Sequence, residues 1–166
     1  MMKKTFIPIA GLALAACSGP SEQAPSQSGD LSVETQKSVI ISQSDVSVDS
    51  ADWGRFFPYF TQDTAALKPV LVGVAKLKAG EEVHPPHRHA DEEYMMITRG
   101  RGEWYLNGET RRAKKGDILF ARPWDYHGVK AADDTPLEFV VFKYTAKDSP
   151  AVIDPNPDLP ELLPQE

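Results

Sequence analysis

The sequence has one cysteine, Cys17, in 166 residues. A lone thiol excludes an intramolecular disulfide and any thiolate cluster for zinc or iron–sulfur. Basic residues are also scarce: 18 Lys and Arg against 24 Asp and Glu leave a formal charge of −6. Nucleic-acid binding needs clustered Lys and Arg to displace counterions from phosphate, so that class of partner is set aside. No apolar run reaches the ~20 residues that a membrane-spanning helix requires. No internal repeat and no long amphipathic helical period is present. What remains, 41% hydrophobic residues in a chain of this length, suffices for one domain with one core.

The N-terminal stretch reads as an address. Met1-Met2-Lys3-Lys4 is a basic start, and the apolar run from Phe6 to Ala16 gives it the anatomy of a secretory signal peptide, expected over residues 1–16. Its end, Leu14-Ala15-Ala16-Cys17, resembles a bacterial lipobox. That resemblance implies cleavage before Cys17, acylation of its thiol, and membrane contact through the lipid alone. With Ser18 in place of an Asp, it further implies an outer-membrane anchor facing the periplasm; a soluble periplasmic or secreted form is the alternative. Residues 17–37 are rich in Ser, Gln, Pro and Gly, bury too little apolar surface to offset their ordering entropy, and read as a flexible tether.

From 38 to 149 the pattern is that of a β domain. Val39-Ile40-Ile41 predicts a first or edge strand. Pro69 to Lys78 predicts a buried strand, followed by strands at Tyr94 to Thr98, Glu103 to Leu106, Ile118 to Ala121 and Tyr126 to Lys130. Leu137 to Tyr144 (LEFVVFKY) is apolar on both faces, which predicts a central strand. Asn107-Gly108 predicts a two-residue hairpin, because both central positions of that turn need positive φ. Eight to ten short antiparallel strands without helices imply an all-β sandwich or barrel of jelly-roll type. Trp53 to Phe60 holds five aromatics in eight residues. They suit a core or a homodimer interface, or alternatively a substrate wall. The tail over 150–166 is acidic and Pro-rich, and is expected either disordered or draped over the surface.

All four histidines fall in two places: His84, His87 and His89 in one stretch, His127 later. Imidazole is the commonest metal ligand, and the nearby carboxylates Glu92 and Glu93 could add a hard anionic oxygen. In an extended segment His87 and His89, two apart, project from the same face. His84 is left open as a second ligand shell member, an alternative ligand or a surface residue. Counting in twos from Glu93, Met95 and Ile97 face inward toward a pocket, to which Tyr105 and Trp124 are further candidate contributors.

These spacings resemble the cupin superfamily, whose first motif matches Gly80, His87, His89, Glu93 and Gly100, and whose second matches Gly116 and His127 eleven positions later. The spacer before His87 is one residue longer than usual and holds Pro85-Pro86; Arg122 and Trp124 replace the customary Pro and Gly of the second motif. The resemblance implies a double-stranded β-helix barrel with His87, His89, Glu93 and His127 holding one divalent transition metal: Fe, Mn, Ni, Cu or Zn. It further implies a small-molecule dioxygenase resembling quercetinase-type members, in which Glu93 doubles as a base. A non-catalytic tethered module that binds a metal or a chelating small molecule, and a metal-dependent isomerase or lyase, are the alternatives.

Overall fold

The computed structural model describes residues 37–164. The expected signal peptide, Cys17 and nearly all of the tether lie outside the described residues. Nine strands follow in order: β1 (Asp49–Ala51), β2 (Gly54–Phe60), β3 (Leu71–Leu77), β4 (Glu92–Arg99), β5 (Arg101–Leu106), β6 (Glu109–Lys114), β7 (Ile118–Ala121), β8 (His127–Ala131) and β9 (Leu137–Tyr144). They form a six-stranded sheet, β1-β2-β3-β9-β4-β7, and a three-stranded sheet, β6-β5-β8. All the pairings are antiparallel, and the architecture is the expected all-β jelly roll.

Alternation sets the two faces. Ala75 and Leu77 of β3, Met95 and Ile97 of β4, and Leu137, Phe139 and Val141 of β9 turn inward, where they meet Trp104 of β5 and Val129 and Ala131 of β8. β9 lies between β3 and β4, which explains its apolar run. Its outward residues continue two cross-strand rows, Val74-Val140-Met96-Ile118 and Val72-Phe142-Tyr94-Phe120. The rings of Tyr94 and Phe120 stack there with centroids 4.6 Å apart.

The Asn107-Gly108 turn is as expected: φ is 47° and 88°, and Leu106 pairs with Glu109 across it. The strand expected at Val39-Ile40-Ile41 does not form. Ile40 is 98% exposed, and no strand among the described residues pairs with this triplet. Burial and pairing, rather than β-branched composition, decide a strand.

The aromatic stretch is divided by the pleat of β2. Phe57 is buried on one face, whereas Phe56 on the other packs against the core. The Phe56 ring leans along β3 from its partner Ala75 to Gly73, where an added Cβ would sit 2.2 Å from it. Glycine is required there so that the ring can lie across the strand.

The tail is draped. Leu163 N–H donates to Pro86 O at 2.9 Å, Trp124 Nε1 donates to Val152 O at 2.9 Å, and the Tyr126 hydroxyl donates to Pro160 O. Proline costs the tail donors but not carbonyls, and side chains of the barrel supply the missing N–H and O–H groups.

Candidate metal centre

The segment containing His87 and His89 is held on both sides. On one, His87 and His127 exchange backbone hydrogen bonds of 3.0 and 2.9 Å. On the other, Arg88 N–H donates to Glu161 O at 2.8 Å, so the tail runs beside the segment like a further strand. Extended backbone then sends His87 and His89 to the interior and Arg88 to the opposite side. Glu93 arrives from the inward face of β4, and His127 from the first residue of β8.

The donor atoms of His87, His89, Glu93 and His127 all lie within 4.8 Å of one another, close enough to share one ion. Two imidazoles are oriented by backbone carbonyls. His127 Nδ1 is 2.8 Å from Asp125 O, and His89 Nδ1 is 3.2 Å from Asp91 O. These contacts turn each Nε2 toward Glu93, where it can donate to the carboxylate when protonated and offer its lone pair to a metal when not. His89 Nε2 is 3.2 Å from Glu93 Oε2, while His127 Nε2 stands 3.5 Å from Oε1, too far for a good hydrogen bond.

His127 Nε2 and His87 Nδ1 are therefore buried without a partner. Buried polar atoms are costly when unpaired, and two such nitrogens around a buried carboxylate fit a bound cation. Burial, with the charges of His84 and His127 behind it, pulls the His87 imidazole from 6.5 down to about 3. Burial alone would raise Glu93; the facing imidazoles of His127 and His89 outweigh it and hold the carboxyl well below its ordinary range. A neutral imidazole and an ionised carboxylate are the forms in which these groups ligate metals.

The same two groups fix a pH dependence. Both have native values below their unfolded ones of 6.5 and 4.5, so the unfolded chain binds the extra protons. Their stabilisation is complete above about pH 6.5 and is lost as the pH falls through the unfolded values toward the native ones. Thermal melts of metal-free protein should show the midpoint dropping by several degrees between about pH 7 and pH 4; a flat profile would contradict this assignment.

A cavity of about 280 Å³ adjoins His87 and Glu93, walled by Trp53, Phe56, Leu71, Val83, Met95, Val129, Phe139 and Val141. Met95 borders this cavity. Ile97, fully buried, is core rather than wall. Tyr105 and Trp124 correct the expectation. Tyr105 alternates with inward Trp104 and so lies on the other face of β5. Trp124 lines a separate surface depression with Arg88 and the tail. Trp53 and Phe56 join the cavity instead, so part of the aromatic stretch is a wall. His84 is exposed, packs edge-on to His87 at 4.1 Å between ring centroids, and borders the cavity outside the four-donor set. Glu92 also stays outside that set.

Trp124 occupies an uncommon backbone conformation, with φ 67°. It is the third residue of a turn closed by Asp125 N–H donating to Arg122 O at 3.1 Å, a position that favours glycine. A 2.7 Å bond from Trp124 N–H to His89 O, together with the indole bond to Val152, holds it there. The departure from the second motif is thus compensated by the tail.

Residues 73–143, the span from β3 to β9, match the family model described as Cupin domain, Cupin_2. Over 73 residues, 43% of this chain and 20% of the relative, it is 26% identical to a gentisate 1,2-dioxygenase of Streptomyces sp. Over 67 residues, 39% of this chain and 55% of the relative, it is 31% identical to an uncharacterized protein of Aquifex aeolicus (strain VF5). The chain thus spans a fifth and about half of these curated relatives. Among solved structures, the polyketide cyclase RemF from Streptomyces resistomycificus superposes with a TM-score of 0.55 at 19% identity, covering 75% of this chain and 96% of that one. At that identity the likeness is one of fold.

Proposed function

We propose that this protein is a metal-dependent enzyme of dioxygenase type, acting on a small organic molecule that binds beside the metal. The observation that carries the reading is the junction of the three-histidine, one-glutamate donor set with an apolar cavity. A divalent metal held by His87, His89, Glu93 and His127 would supply Lewis-acid activation and, if redox-active, reaction with dioxygen. The chain's own contribution is to hold the imidazoles in fixed orientations, to keep Glu93 ionised, and to exclude water with Phe56, Met95, Phe139 and Val141. An apolar cavity of about 150 Å³ takes benzene, so 280 Å³ gives room for one substituted ring rather than a multi-ring flavonol. The dioxygenase activity in the name of the Streptomyces relative agrees with the reaction class.

Protein loaded separately with Fe(II), Mn(II), Ni(II), Cu(II) and Zn(II) should bind one equivalent of at least one metal and consume dioxygen with a single-ring catechol or hydroxybenzoate. Metal analysis and an oxygen electrode check this. Stoichiometric metal without oxygen uptake across such a panel would overturn the enzymatic reading in favour of a binding module.

A further inference from the structure

We infer that Lys143 is the receptor for an anionic group on the substrate, and that the substrate class is a single-ring organic acid whose carboxylate neighbours its metal-binding oxygen. This inference rests on the reading of the site as a metal centre that binds a small molecule. Lys143 pairs with Glu93 on one side and Leu71 on the other, in the row of the sheet that carries the metal ligand. It shares the inward face of β9 with Phe139 and Val141 and borders the cavity. It is half-buried, and none of the ion pairs among the described residues uses it. Its neighbour Glu93 is turned to His89 and His127 instead.

An ammonium group kept beside a cavity walled mostly by apolar side chains gains from an anion that offsets its desolvation. Asp49 also borders the cavity, but it is exposed on edge strand β1, in register with Phe56 and so two inward-facing positions along β3 from the row of Lys143 and Glu93. The order along the cavity is therefore metal and ammonium at one end and apolar side chains beyond. A ligand matching that order carries its charge and its metal-binding atom together, with an uncharged ring leading into the apolar part. A 2-hydroxybenzoate has this arrangement. Its amide analogue keeps the shape and the hydroxyl but lacks the charge.

The test is titration of metal-loaded protein, its stoichiometry measured beforehand, with salicylate and with salicylamide, followed by calorimetry. Wild type should prefer salicylate by about tenfold or more, the range of a hydrogen bond to a charged group. Lys143→Met should lose that preference while keeping its metal and its affinity for salicylamide, and Lys143→Arg should restore most of it. Metal in place with equal affinities for the two ligands, no salicylate binding by wild type, or an unchanged preference in Lys143→Met would each overturn the role of Lys143 and leave the metal site standing. Failure to load metal at all would instead sink the reading of the site on which this inference rests.

Discussion

His127→Ala and Glu93→Ala should each lower metal affinity by more than about a hundredfold, beyond the 10- to 100-fold typical of losing an outer-shell partner. The barrel should remain folded. For His127 the reason lies in the backbone: its pairing with His87 uses main-chain N–H and C=O groups, which the alanine variant keeps. The truncated side chain also removes one of the two unpartnered buried imidazole nitrogens, so the metal-free variant loses a cost as well as packing. For Glu93, truncation takes away the single negative charge of the set, leaving three neutral imidazoles to face a dication. Metal content by elemental analysis and far-UV circular dichroism separate loss of ligation from loss of fold. Full occupancy in either variant would refute the ligand set.

Much of this site was legible in the sequence because metal ligation and strand geometry both leave short-range marks. His87 and His89 stand two apart, Glu93 opens an alternating strand, and Asn107-Gly108 marks a hairpin. Other features leave no such mark. β6, with the sequence ETRRAK, shows no apolar alternation, since only Ala113 is buried, and it is a strand because β5 pairs with it along its length. β2 was obscured by Pro58 and by an aromatic excess that fits several fates; its pleat sends Phe56 and Phe57 to opposite faces, and a shift in register follows Pro58. Val39-Ile40-Ile41 has strand composition but lacks a partner. The pocket assignments of Tyr105 and Trp124 failed because aromatic character says nothing about which face of a sheet a residue takes, and Lys143, which does border the cavity, is chemically unremarkable until its register with Glu93 is known.

Arg88 was the least legible of the residues that matter, although its position between two inward histidines forces it to the opposite side. There it is 3% exposed, with its guanidinium bonded to the Asp154 carboxylate and, at 2.9 Å, to Asn156 O. The rings of Trp124 and Tyr126 lie 5.3 and 5.5 Å from its central carbon, within range of cation–π attraction. One side chain therefore joins the metal-binding segment, the turn that carries Trp124, and the tail. Arg88→Ala leaves Asp154 without its partner and opens a gap between two rings. Breaking one side of a buried ion pair costs about 3–5 kcal/mol. Ending the chain after Ser149 should destabilise by a similar amount, since it removes Asp154, the acceptors for Trp124 and Tyr126, and the backbone bonds beside His87. Because the two changes disrupt one network, their effects should not add: the truncated Arg88→Ala protein should be little worse than either alone. Urea unfolding of the four proteins at neutral pH measures this cycle. Full additivity, or a cost below about 1 kcal/mol for Arg88→Ala, would mean that the tail rests on the barrel without being fastened through Arg88.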